Sequence, residues 1–318
     1  MSILDNIIFS LNATMPIFLM MVVGYVLKRI GWLNEETTKA LNKLVFRVFL
    51  PCLLFKDLMD QDFISIWDGS YVLYCFIVTI VSMMIADVIA VITHQGDERG
   101  EFIQASYRSA AATLGIAFMT NIYDNVAMLA LMILGSVPLY NVVAVVLLTL
   151  TSPEKKEGMS KELFRKTLLN ILTNPIIIGI VLGLLWSVLR LPKPVIFVKS
   201  VTYLGNVASP LALIALGATF EFSDLKEKLK PIILVCFNKL FLFGLLFIPV
   251  AIYLGYRDEK LVATLIMLGS ATTSSSFIMA KNMGHKGIIS SCAVMTTTLL
   301  SSFTLALWLF VLRCLQFI

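Results

Sequence analysis

Ten long apolar runs dominate the chain, at about 4–27, 38–58, 69–93, 103–120, 126–150, 164–189, 195–219, 230–255, 261–280 and 287–315. Each is bounded by charged or turn-forming clusters. About 20 mostly apolar residues suffice for a helix to cross the hydrocarbon of a bilayer. Runs without strict alternation favour helices over the strands of a barrel. The pattern predicts an all-α integral membrane protein with ten transmembrane helices. Asp5, with no basic cluster ahead of the first run, fits a retained helix rather than a cleaved signal.

Composition sharpens this. Of 318 residues, 58% are hydrophobic and 14% charged, where a soluble domain is roughly half apolar and a quarter charged. That excludes a soluble enzyme, a nucleic-acid binder and a secreted scaffold. Cys52, Cys75, Cys236, Cys292 and Cys314 all lie in apolar stretches and suggest neither disulfides nor a zinc site. With both termini on the extracytoplasmic side, the inner loops hold twice as many basic residues as the outer ones, as orientation in a cytoplasmic membrane requires. The net charge of +5 then needs no nucleic-acid partner.

A shift of 159 residues, half the chain, pairs Pro16 with Pro175, Gly24 with Gly183, Pro51 with Pro210, Thr113 with Thr272 and Phe118 with Phe277. Prolines and glycines at these scaffold positions punctuate helices for backbone reasons, so their recurrence carries weight. The polar segment 151–162 joins a first repeat, 1–150, to a second, 163–318. Five helices per half is odd, so the halves thread the membrane in opposite senses. This 5+5 inverted repeat is a common plan of secondary transporters, whose substrate sits near the midplane at interrupted helices.

Helices 4 and 9 are the candidates for interruption. Helix 4 carries Ser106, Ser109, Ala110, Ala111, Ala112, Thr113 and Gly115; helix 9 carries the polar run Ser270–Ser276, including Ser274, Ser275 and Ser276. Small side chains let broken helices cross closely, and freed N–H groups can meet an anion. The same composition also marks tight helix contacts. Asp87, Arg108 and Lys239 are ionisable residues within runs, where they are costly. Asp87 is expected to pair with Lys239 or Arg108 in support of the crossover and to serve as a proton acceptor; the alternative is that the two cations snorkel to headgroups. His94 and His285 sit in loops without metal-spaced partners, and the chain carries no His-Glu-x-x-His, P-loop or serine-nucleophile motif. Neither catalysis nor a cofactor or metal is expected.

Met15–Tyr25 (MPIFLMMVVGY), Leu41–Phe55, Val137–Asn141 (VPLYN), Thr173–Pro175 and Ser275–Lys281 resemble the auxin efflux carrier family, which includes bacterial malonate and malate permeases. The resemblance implies crossed, interrupted helices 4 and 9, a scaffold of helices 1, 2, 6 and 7, and moving helices 3–5 and 8–10. It implies an organic anion as substrate, with membrane lipid as partner, coupling open to a proton or sodium, and the scaffold helices open to homodimer contact. Family members carry Asn, four residues, Gly, an aliphatic residue and Pro in helix 4. Here Ala110 replaces the Asn, Gly115 and Ile116 match, and Ala117 replaces the Pro. The candidate substrate set is Ala110, Thr113, Gly115, Ile116, Asn141, Asn174 and Ser274–Ser276. A ligand-binding receptor on the same fold is the other reading. A sodium-coupled bile-acid-type carrier shares the architecture but would want more acidic or amide ligands at the crossover.

Overall fold

The computed structural model describes residues 3–59, 67–111, 115, 118–119, 122–123, 127–152, 169, 173–220 and 226–318. Thr113, Ile116 and residues 153–162 of the joining segment lie outside them.

Helices fill the described parts of the apolar runs, and no strand occurs among the described residues. In chain order they are α1 (Ile3–Arg29), α2 (Glu35–Leu44), α3 (Leu50–Met59), α4 (Gly69–Ile92), α5 (Arg99–Tyr107), α6 (Ala127–Leu150), α7 (Pro175–Val188), α8 (Val195–Thr219), α9 (Leu229–Phe237), α10 (Phe243–Tyr253), α11 (Asp258–Gly269), α12 (Ser274–Asn282) and α13 (Ile288–Cys314). Among the described residues, six helical stretches are long and apolar enough to cross a membrane.

Local chemistry sets the ends and irregularities. The Asn34 side chain accepts from the Thr37 N–H at 2.7 Å and starts α2. Asp68 accepts from Ser70 and Tyr71 N–H groups, each at 3.1 Å, and starts α4. Such caps satisfy donors that a first turn leaves without partners. A π-helical turn, Val45–Phe49, joins α2 to α3 just before Pro51; proline has no N–H for the ladder, and a widened turn absorbs the mismatch. A second π turn, Asn238–Leu242, joins α9 to α10 and brings both Asn238 and Lys239 into the interior. Its Leu240 carbonyl accepts from Trp308 Nε1 of α13 at 3.0 Å.

Burial is inverted relative to a soluble protein. Met84, Val88 and Ile92 of α4 stand 55–68% exposed, while Arg108, Lys239 and Thr297 are at 0%. Apolar side chains outside and polar groups inside suit a hydrocarbon solvent, in which every buried polar group needs an internal partner. Cys75, Cys236 and Cys292 are buried, Cys52 is half-buried and Cys314 is exposed.

Among the described residues two large apolar cores, with two smaller clusters beside them, organise the interior. One gathers residues of α4, α5, α6, α10, α11 and α13, such as Tyr71, Phe102, Leu131, Phe243, Leu265 and Leu309. The other centres on α1, α3, α7 and α8, through Met21, Leu50, Ile180 and Leu213, and receives Phe277–Ala280 of α12. Within the second core the helices approach backbone to backbone. A Cβ on Gly183 would sit 2.7 Å from the Phe55 carbonyl, and one on Gly24 would overlap the Ile214 carbonyl. Pro16 and Pro210 lie inside α1 and α8, and Pro175 opens α7 at a position where no N–H is missed.

Candidate functional site

Two helices stop in the buried interior and restart. α5 ends at Tyr107, Arg108 is extended, and helix resumes at Ala111. α11 ends at Gly269, Ser270 is extended, and α12 begins at Ser274. The breaks touch, because the Ala110 N–H donates to the Ala271 carbonyl at 2.8 Å.

Breaking a helix in lipid strands backbone groups, and the neighbouring polar side chains take them up. Thr272 Oγ1 donates to the Ala105 carbonyl at 2.8 Å, and the Thr272 N–H donates to Thr297 Oγ1 at 2.9 Å. Gln104 Nε2 donates to the Ser276 carbonyl at 3.0 Å. Lys239 Nζ donates to the carbonyls of Tyr107 and Met267, at 3.1 and 3.2 Å. No crossover proline is needed when side chains fill these vacancies.

Arg108 lies fully buried at the first break. Its Nη2 donates to Asn141 Oδ1 and to Ser275 Oγ, both at 2.7 Å, and its Nη1 donates to Gln104 Oε1 at 3.0 Å. The guanidinium carbon stands 5.5 Å from the Tyr140 ring centre. Among the described residues no carboxylate pairs with it, and its Nε has no partner. The Tyr140 hydroxyl donates to the Ser109 carbonyl at 3.2 Å, fixing α6 against the break.

Ser275 and Asn141 face a cavity of about 280 Å³, room for roughly nine waters at their liquid volume. Leu50, Leu54 and Asp57 of α3 and Asn206 and Ser209 of α8 line one side; Ser109, Ala110, Tyr140, Asn141 and Thr273–Ser275 line the other. Arg108 holds the oxygens of Asn141 and Ser275. The Asn141 amide spends one hydrogen on the Val137 carbonyl at 2.8 Å, so a second amide hydrogen remains to donate; the Ser275 hydroxyl also donates outward when Thr273 Oγ1, 3.1 Å away, is the donor of their shared bond. A buried positive charge behind two fixed donors is an arrangement for an anion.

The expected site residues are only partly brought together. Ala110, Asn141, Ser274 and Ser275 line the cavity. Ser276 is buried beside it with its hydroxyl lacking a partner. Gly115 instead faces Leu129 and Ile266 in the first core, and Asn174 caps α7 by accepting from the Ile176 N–H at 2.9 Å. Neither lines the cavity. The expected pairing of Asp87 with Lys239 or Arg108 does not form: Asp87 is held by Arg99, with Nε and Nη2 each donating at 2.8 Å. The reason is local, because a 3-10 turn at Gly96–Glu98 folds Arg99 back beside the end of α4.

Sequence reasoning missed Gln104, Thr272 as a partner of the opposite break, Asp57, Asn206 and Ser209. It also missed Glu101, buried at 1%, which accepts from the Gly287 and Ser290 N–H groups at 2.8 and 3.1 Å. Thr272 was within reach as the repeat mate of Thr113. Asn206 and Ser209, three apart and therefore on one face of α8, were a signal in the otherwise apolar stretch from Leu204 to Ala218.

The model of the family described as "Membrane transport protein" matches residues 9–309. A protein of Methanothermobacter thermautotrophicus named "Uncharacterized transporter" is 24% identical over 310 residues, covering 95% of this chain and 98% of its own length. A protein of Rhizobium meliloti named "Putative malonate transporter" is 25% identical over 316 residues, covering 94% of each. The chain is thus a multi-pass membrane protein and belongs to the membrane transport protein family, that of the auxin efflux carriers.

Proposed function

We propose that the chain moves a small organic anion, a carboxylate, by alternating access. The observation that carries this is Arg108: a fully buried guanidinium with neutral partners, two of which face a cavity. A buried charge without a counter-charge is costly, and an anionic guest offsets that cost. The first turn of α12, which opens at Ser274 on the cavity wall, adds the positive end of a helix.

Several features support the ten-helix inverted repeat. The contact of Gly24 with Ile214 has its mate in that of Gly183 with Phe55: Gly24 and Gly183 are 159 residues apart, as are Phe55 and Ile214. The cavity is lined by residues of α3, α7 and α8, which the resemblance assigns to the scaffold, and of α6, α12 and the first break, which it assigns to the moving set. Beyond it Phe277–Ala280 of α12 are buried in the second core, so the site is sealed on that flank. If both termini are outside, as the basic-residue bias favours, the sealed flank is the cytoplasmic one, where Lys281 lies in the last turn of α12. Transport follows if the moving set shifts against the scaffold and the seal changes sides.

Dicarboxylates are the first class to test, given the name of one relative. Counterflow of labelled malonate into proteoliposomes loaded with unlabelled malonate is expected to exceed that of protein-free vesicles. Binding without exchange would favour a receptor, and neither binding nor exchange across a panel of carboxylates would overturn the substrate class.

A further inference from the structure

We infer that the crossover is a built cation site filled by the chain's own Lys239, so that transport needs no sodium ion at that point. The two acceptors of Lys239 explain why. Tyr107 is the last residue of α5, and Met267 lies in the last turn of α11. Neither carbonyl has an intrahelical partner available, since the chain leaves helical geometry at Arg108 and at Ser270. Each end carries about half a negative charge, and together about one. One ammonium, donating at 3.1 and 3.2 Å, balances both.

Side chains around Lys239 fit this role. It is fully buried, and among the described residues it makes no ion pair with a carboxylate. The π turn that carries it is anchored: Asn238 Nδ2 donates to Ser106 Oγ at 3.4 Å, and the Leu240 carbonyl is held by Trp308. π turns within helices often mark functional positions. Buried carbonyls at two converging helix ends would otherwise invite a monovalent metal ion. Lys239 also leaves the accounting at the breaks uneven. The helix ends neutralise one cation and Arg108 keeps its charge for the substrate.

The experiment reads melting temperature and counterflow in nanodiscs and proteoliposomes, in sodium chloride against choline chloride at equal ionic strength. Wild type is expected to behave alike in both salts. K239M, which keeps length and loses charge, is expected to lose at least about tenfold in exchange. K239A is expected to gain a melting-temperature rise with methylammonium or sodium chloride that wild type lacks. Should K239M fail to fold, K239R, which keeps a cation there, is expected to fold and remain indifferent to sodium. Sodium-dependent stabilisation or exchange of wild type overturns the inference, as does a K239M protein that folds and exchanges like wild type in choline. The flux arm rests on the transporter reading, whereas the melting arm does not: a wild type that exchanges no carboxylate defeats the proposed function and leaves Lys239 to be judged by its cation response.

Discussion

Replacing Arg108 with methionine separates substrate binding from folding. A carboxylate that accepts from Ser275 Oγ stands one hydrogen bond beyond the 2.7 Å contact between that oxygen and Arg108 Nη2, so its distance from the guanidinium is about 5 Å. At an effective dielectric constant of about 20, a unit charge there contributes about 3 kcal/mol, or two powers of ten in affinity. The variant also frees Asn141 and Ser275 from fixed orientations, which acts in the same direction. Stability answers differently. The guanidinium makes three hydrogen bonds to oxygens, whose loss is offset by removal of a buried charge without a counter-charge. The melting temperature of ligand-free R108M is therefore expected to move by only a few degrees, while thermal stabilisation by malonate and the counterflow rate fall by 30-fold or more, about 2 kcal/mol at least. Arg108→Lys, which keeps charge but not the forked geometry, is expected to fall between. An R108M protein with counterflow within threefold of wild type would refute the reasoning.

Other outcomes follow from single contacts. Gly183→Val pushes a side chain into the Phe55 backbone and is expected to destabilise by about 1–3 kcal/mol or more, seen as a lower melting temperature; an unchanged value would mean that α3 and α7 can separate freely. Asp87→Asn breaks a partly exposed pair with Arg99 and is expected to leave counterflow and its pH dependence within about twofold of wild type; a shifted pH profile would return Asp87 to a coupling role. Lys260, 2.5 Å from Asp68, holds that carboxyl below its ordinary value, to about 2. The group is depressed, so its contribution to stability is complete above the ordinary carboxylate range and is lost as pH falls from about 4 through 2. Asp68→Asn is expected to flatten the melting curve across that window, and an equal slope in both proteins would count against the pair. Asn174→Ala removes the cap of α7 and is expected to cost about 1 kcal/mol of stability without changing the substrate concentration for half-maximal exchange.

Much of the architecture was legible because lipid imposes simple demands. Length and apolarity marked the helices, and the runs of small and hydroxyl residues marked both breaks, since only such residues let interrupted segments touch as Ala110 and Ala271 do. Asn141 and Ser275 were legible through family signatures. The partners were not. Asp87 and Lys239 lie on helices that the expected repeat would pair, which suggested a meeting, but a three-residue turn decided that Asp87 meets Arg99. Lys239 chose two carbonyls, acceptors that every residue owns and no side-chain pattern announces. Gly115 and Asn174 matched a pattern by type, yet one serves helix contact and the other a helix cap.

The most direct test is the structure of the protein with malonate bound. A carboxylate lying in the cavity against Ser275 and Asn141, backed by Arg108 and walled by α3 and α8, is the expected result. Malonate seated elsewhere, or a cavity without ligand at concentrations that saturate exchange, would contradict an anion path through the crossover.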